Sequence, residues 1–340
     1  MESVNQISEE CLAARKQCVL FDHPNRGVIE VRGADHIQFL HNVLSNDIKS
    51  LSPGKGIPAC LLNAQAKIVA NPNVLCFKNF LWLALDYVLK DKLIDALAKL
   101  IIMEQVELID RSDELKLISV HGPKAKELVT TVFAQQPSHD LLHHIRIVRP
   151  AGQLSEVFIE IIRINLIGEE GYGILFPKSE TENLKSVIKQ HVPSNEVQAT
   201  TMDIMRIESG IPKYGVDYDE SNIPLECRLD KTVSFSKGCF PGQEILARLD
   251  SRGGISKKLM GLELEGKTVP KKGDLITKDG NEAGHITSSA FSPFLKKIIA
   301  MGYLKKECWA AGTLVVIETE GAHISGQVVS LPFYFDRTTR

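Results

Sequence analysis

Long apolar runs are the first thing missing from this chain of 340 residues. No stretch approaches the roughly 20 residues needed to cross a bilayer. The N-terminal MESVNQISEE is acidic, with neither an apolar signal core nor an arginine-rich amphipathic pattern, so secretion and organelle import are not expected. Net charge is nearly absent too. The 40 basic and 42 acidic residues leave a balance of −2, which advertises no nucleic-acid or membrane surface. Cysteine occurs 7 times, an odd number, without CxxC or Cys/His ligand spacing. That argues against a disulfide scaffold or a structural zinc site and for reduced thiols in a cytoplasm.

What remains is globular material, 44% hydrophobic and 24% charged, in a chain too long for one ordinary core. Strands are expected at 19–21 and 27–32, paired around His23-Pro-Asn-Arg-Gly27. Asp35 is placed to cap a helix carrying Ile37, Leu40, Val43 and Leu44 on one face. Runs at 59–62, 67–70, 74–77 and 81–85 read as strands, and 88–103 as an amphipathic helix. The alternation then repeats loosely, with strands at 115–120, 157–164 and 172–176 and helices at 124–134 and 199–208. Ser179-Glu-Thr-Glu182 has the form of a capping box opening a helix to about 191. This pattern implies α+β halves with mixed sheets. After Arg252-Gly-Gly254 it gives way to short β-type runs punctuated by glycine, the signature of a small barrel or sandwich. The division therefore falls between 1–254 and 255–340.

Chemistry concentrates in Lys237-Gly-Cys-Phe-Pro-Gly-Gln-Glu244. Gly238, Pro241 and Gly242 together would weaken a core strand or helix, so this is loop-like material. Cys239 stands two residues from Lys237, where positive charge and backbone N–H groups can stabilise a thiolate. Burial as a small hydrophobe is the commoner fate of a free cysteine. No histidine lies within ten residues, so a local Cys–His pair is absent. Glu226, after Pro224-Leu225, offers a carboxylate that could take two parallel hydrogen bonds from an amidine-like edge, or pair simply with Arg228. Tyr214 sits in the turn Gly210-Ile-Pro-Lys-Tyr-Gly215, and Lys237 and Arg248 could hold an anionic tail.

The string RIESGIPKYGVDYDESNIPLE, followed by KGCFPGQEILAR, resembles the YgfZ branch of the folate-dependent aminomethyltransferase superfamily. The helix around Phe39-Leu-His-Asn-Val-Leu-Ser-Asn-Asp-Ile48 and the glycine-rich β tail are similar to that family's two ends. The resemblance implies a three-domain clover around a central folate pocket, closed by a C-terminal β-barrel. It places Glu226 on the pterin and Lys237 at the folate tail; Asn71, Tyr214 and Arg248 are counted with them as candidate cofactor-binding residues. Gly238, Cys239, Gly242, Gln243 and Glu244 make up the branch's KGCxxGQE motif. It departs from the transferases where they carry a G-x-x-D-D type segment: here Ala70 and Asn71 occupy the aspartate positions. Asparagine cannot become an anion or take up a proton as a carboxylate would.

The resemblance implies tetrahydrofolate, or a one-carbon derivative, as cofactor. It also implies iron–sulfur enzymes or cluster-assembly proteins as partners, the chain acting as an accessory in cluster assembly or repair. One motif thiol falls short of the about four that a resident cluster needs, so Cys239 would be a redox thiol or a transient ligand. A folate-dependent one-carbon transferase or demethylase, and a folate-binding module without chemistry, are the competing readings.

Overall fold

The computed structural model describes residues 4–24, 26–151, 155–192, 196–252 and 254–334, so Asn25 of the first turn and Gly253 of the glycine pair lie outside the described residues. The first 110 residues supply α1 (Val4–Lys16), β1 (Val19–His23), β2 (Arg26–Arg32), α2 (His36–Val43), β3 (Gly56–Pro58), β4 (Leu61–Leu62), β5 (Ile68–Ala70), β6 (Asn73–Cys76), β7 (Phe80–Asp86), α3 (Lys90–Ala98) and β8 (Glu107–Asp110). Five of these strands form a sheet in the order β3-β6-β7-β2-β8, while β4 and β5 make a separate hairpin. Period-2 alternation sorts their side chains. Ile29, Val31, Leu81, Leu83 and Leu85 face the helices α2 and α3, whereas Val28, Leu75 and Trp82 face a second sheet.

That second sheet adds β9 (Leu115–His121), β10 (His144–Ala151), β11 (Ser155–Ile164) and β12 (Gly171–Pro177), in the order β1-β9-β12-β11-β10. Helices α4 (Ala125–Phe133) and α5 (Thr181–Lys189) cover its outer face through Leu128, Val129, Leu184 and Ile188. After α6 (Ala199–Glu208), a long loop and α7 (Gln243–Arg252) lead to β13 (Lys257–Leu264), β14 (Leu275–Lys278), β15 (Asn281–Ser292), β16 (Lys297–Lys305), β17 (Leu314–Thr319) and β18 (Ala322–Val329). These close into a six-stranded barrel, as the glycine-punctuated runs imply. No helix among the described residues is long and apolar enough to cross a membrane.

Strand β16 shows why the barrel sits where it does. Its run Ile298-Ile-Ala-Met-Gly-Tyr-Leu304 is apolar on both faces, which marks a strand covered on both sides. Ile298, Ala300 and Leu304 fill the barrel interior. Ile299, Met301 and Tyr303 point outward, into a core shared with Ile68, Tyr218, Ile223, Cys227 and Phe240. The barrel's outer wall is thus the floor of the loop region that carries the sequence's chemistry.

Several local expectations are corrected. β1 and β2 do not pair: β1 joins β9, and β2 is flanked by β7 and β8, which leaves it no free edge. The named strands pair antiparallel throughout, so the sheets are not mixed; the helices lie over single sheet faces instead of bridging parallel strands. Asp35 makes no cap bond, because its Oδ2 accepts the Gln105 N–H at 2.8 Å where the lead-in to β8 crosses. Ile37 is exposed, and Phe39 and His41 join Leu40 on the buried side of α2. Helix α3 is shorter than 88–103, and Ile102 and Met103 beyond it are exposed. The capping box is not formed: a tight turn at Lys178–Glu180 moves the start of α5 to Thr181, which bonds back to Lys178 O at 2.7 Å. α1, β8, β10 and α7 carry no signal that the sequence reading used.

Candidate functional site

The site is built on the β4–β5 hairpin. Its turn is closed by Asn63, whose Oδ1 accepts the N–H groups of Gln65 at 3.0 Å and Lys67 at 2.9 Å, with Ala66 at φ +61°. Gly242 rests on this turn. It has φ +79°, and a Cβ there would lie 2.7 Å from Ala66 Cα and 2.8 Å from Asn63 O. Only glycine lets the backbone come this close in that conformation. The contact fixes the KGCFPGQE loop on the hairpin just before α7 begins at Gln243. Glu244, exposed in the first turn of α7, complements the helix N-terminus.

The second strand of the hairpin holds the other loop. Ile68 N–H donates to Asn222 O at 3.0 Å, and Asn71, just past β5, hydrogen-bonds the Tyr218 phenol. Burial pushes that phenol well above its ordinary pKa, with the Asn71 bond working against it. Tyr214 meets Tyr218 edge to face at 5.6 Å. The loop is tied to the barrel by Asp217, which is 1% exposed. Its Oδ2 accepts from Arg206 at 2.7 Å and from Lys213 N–H at 3.0 Å, and its Oδ1 from Thr287 and Ser288, each at 2.6 Å.

Glu226 ends a single 3₁₀ turn after Pro224. It is 8% exposed. Its Oε2 accepts long hydrogen bonds from Ile223 N–H (3.3 Å) and Asn222 Nδ2 (3.4 Å). Oε1 accepts none from the described residues. Arg228 is not its partner, since that guanidinium donates to Leu331 O at 3.2 Å. Oε1 is not among the described side-chain atoms that are sealed from solvent without a partner, so donors from outside the protein can reach it.

The Lys237 ammonium lies 5.0 Å from the ring centre of Phe240. It donates to His41 O and Leu44 O at the C-terminal end of α2, where unpaired carbonyls favour a cation. Burial brings it down to about 8, against the opposing pull of Asp47 and Cys239. Two of its three donors are therefore used inside the protein. Cys239 beside it is exposed, whereas the other six cysteines are buried. Burial pushes the thiols of Cys60 and Cys227 up to about 12. Arg248 is exposed on α7, and Gln243 is half-buried at its start.

The structure thus joins Asn71, Tyr214, Tyr218 and Glu226 around one hairpin and one apolar core, with Phe240 of the motif below them. It sets Lys237 and Cys239 at the end of α2. Sequence reasoning missed Asp217, His41 and Asp86. The charge of Asp86, at the end of β7, reaches the Tyr218 phenol, and its carboxylate pairs with Arg26 at 3.1 Å. No local signal marks these residues, because each is brought in by strand pairing or helix packing. Among the described residues no three His, Cys, Asp or Glu side chains converge to hold a metal ion.

Comparison with known proteins agrees with this architecture. Residues 2–237 match the family model of the GCVT N-terminal domain, and residues 257–334 that of the glycine cleavage T-protein C-terminal barrel domain. Aminomethyltransferases are similar across nearly the whole chain. That of Halothermothrix orenii is 28% identical over 96% of this chain and 91% of its own length. That of Thermosipho melanesiensis is 29% identical over 96% and 89%. The crystal structure of the glycine cleavage system aminomethyltransferase T from Bartonella henselae superimposes with a TM-score of 0.86 at 24% identity, covering 97% of this chain and 91% of that one. That likeness is one of fold.

Proposed function

Because this chain belongs to the glycine cleavage T-protein family, with both its N-terminal domain and its C-terminal barrel, we propose that it binds tetrahydrofolate and exchanges a one-carbon unit with it. Tetrahydrofolate supplies the chemistry of carrying that unit. The observation that carries the reading is Glu226, buried, held through Oε2, and left with Oε1 unbonded. Such a carboxylate takes two parallel donors from one edge of a pterin, the bidentate geometry that gives orientation as well as affinity. Tyr214 and Tyr218 add aromatic surface on the same loop. In this reading residues 1–254 bind the folate, and the barrel of 255–340 braces the binding loop through Asp217, Thr287 and Ser288.

The reaction does not run through a carboxylate at position 71. Asn71 is neutral and already bonded to Tyr218, so proton transfer there falls to another group. A second reading, the iron–sulfur accessory role of the YgfZ branch, draws on the exposed Cys239 in KGCFPGQE. With one accessible thiol on the motif, the cluster or its iron would pass as cargo.

Calorimetric titration with tetrahydrofolate tests the first reading. Glu226→Gln is expected to weaken binding about 10- to 100-fold, the loss of charge-assisted hydrogen bonds. Equal affinity would remove Glu226 from the pocket and end the reading. Turnover of a one-carbon donor by the wild-type protein with tetrahydrofolate separates the transferase from the accessory.

A further inference from the structure

We propose that Asp86 is the proton acceptor of the one-carbon exchange, the carboxylate that position 71 lacks. The inference rests on the one-carbon reading above and adds the residue that serves it. Strands β6 and β7 pair from Asn73 opposite Ala84 to Cys76 opposite Leu81, and β2 sets Arg26 opposite Asp86. Carried two residues past Asn73, the β6–β7 register brings Asn71 opposite Asp86. Directly opposed residues in an antiparallel pair lie about 4.5–5.5 Å apart at Cα, with their side chains on one face. A second observation agrees: the Tyr218 phenol, hydrogen-bonded to Asn71, feels the charge of Asp86. Period-2 alternation puts Asp86 with Ala84 and Trp82 on the face turned to the second sheet.

The groups beside it cannot do the same work. Asn71 has no basic form near neutrality. Burial holds the Tyr218 phenol well above its ordinary pKa, so at pH 7 it is a donor. Cys60 and Cys227 also reach that phenol, but burial pushes both thiols up to about 12, and they too stay protonated. Asp86 differs in being open to solvent, with 48% of its side chain exposed, so a substrate can meet it. Arg26 Nη1 donates to Oδ1 at 3.1 Å and fixes the carboxylate, while Oδ2 hydrogen-bonds no described residue. Arg26, Asn73 and Ala84, its neighbours in the ladder, also line a cavity of about 40 Å³ between the two sheets. That exceeds the roughly 10–15 Å³ that one water-sized group requires.

The proton account closes without an oxidant or reductant. Joining a one-carbon unit to an amine forms one C–N bond and breaks the carbon's bond to its carrier, with the electron pair staying on the carrier atom. One surplus proton is left on the amine. Asp86 Oδ2 accepts that proton and returns it to the carrier atom, so the carboxylate ends as it began. Arg26 keeps Oδ1 in place throughout.

The first test needs no turnover. In the full-length protein, Asn71→Asp puts a second carboxylate opposite Asp86, where like charges destabilise. It should lower the urea midpoint in the wild-type background and lower it less, or not at all, in Asp86→Asn. Equal shifts in the two backgrounds would show that the positions do not face each other, and overturn the proposal. The second test follows transfer from an S-aminomethyl thiol to tetrahydrofolate at pH 7, with affinity read by calorimetry. Asp86→Ala should cut turnover about 100-fold while tetrahydrofolate affinity stays near that of the wild type. Added formate should restore part of the rate in Asp86→Ala, a rescue that a merely structural role would not show. If Asp86→Ala fails to fold, Asp86→Asn carries the turnover measurement. Undiminished turnover in a folded variant of an active wild type overturns the proposal alone. No turnover by the wild type ends the one-carbon reading, and this proposal with it.

Discussion

Asp217→Asn is the substitution that best tests how the site is held. The carboxylate is fully buried and accepts four hydrogen bonds, two from Arg206 and the Lys213 amide and two from the hydroxyls of Thr287 and Ser288. Asparagine keeps the volume but replaces one acceptor oxygen by a donor. The hydroxyls can rotate to accept, whereas a guanidinium and a backbone N–H cannot, so the new amide nitrogen must face Thr287 and Ser288. Arg206, which is 8% exposed, then loses its buried counter-charge and keeps only Asp203 at 2.7 Å. Removing one partner of a buried pair costs about 3–5 kcal/mol, and the remaining Asp203 puts this case near the lower figure. With a urea slope of about 3 kcal/mol per molar for a protein of this size, the midpoint should fall by about 1 M. Because the anchored loop carries Tyr214, Tyr218 and Glu226, tetrahydrofolate affinity should fall as well, in protein kept far below its unfolding transition. A urea midpoint equal to wild type would refute the claim that this carboxylate ties the loop to the barrel.

Two further outcomes follow from burial and close approach. His121 is fully buried, and burial lowers its pKa from 6.5 to about 3. The unfolded chain therefore binds a proton that the folded one refuses, and stability contributed by neutral His121 is lost as pH falls below about 6.5. Between pH 6.5 and 5 the wild type should lose roughly 2 kcal/mol more than His121→Gln in urea titrations; parallel pH dependences would contradict it. Gly242→Ala should destabilise the protein by about 2 kcal/mol or more, from the left-handed backbone and from contact with the Asn63–Ala66 turn. Hydrogen exchange should rise first over 237–244 and 63–67, and an unchanged pattern would mean the two loops are not coupled.

Much of this protein was legible as sequence because the signals are local. The six barrel strands announce themselves through short apolar runs between glycines. The KGCFPGQE string and Asn71 at an aspartate position are also properties of the chain itself, as is the family resemblance they carry. Strand pairing is not local. Two residues separate β1 from β2, a spacing that suggests a hairpin, yet they belong to different sheets because β7 and β8 already occupy both edges of β2. Only tertiary structure could decide that Lys237 caps α2 and that Asp217 anchors the loop carrying Tyr218 to the barrel. Side-chain identity is written in the sequence, but hydrogen-bond partners and burial depend on which segments the cores draw together. Those are the quantities that turn a lysine into a helix cap and an aspartate into a loop anchor.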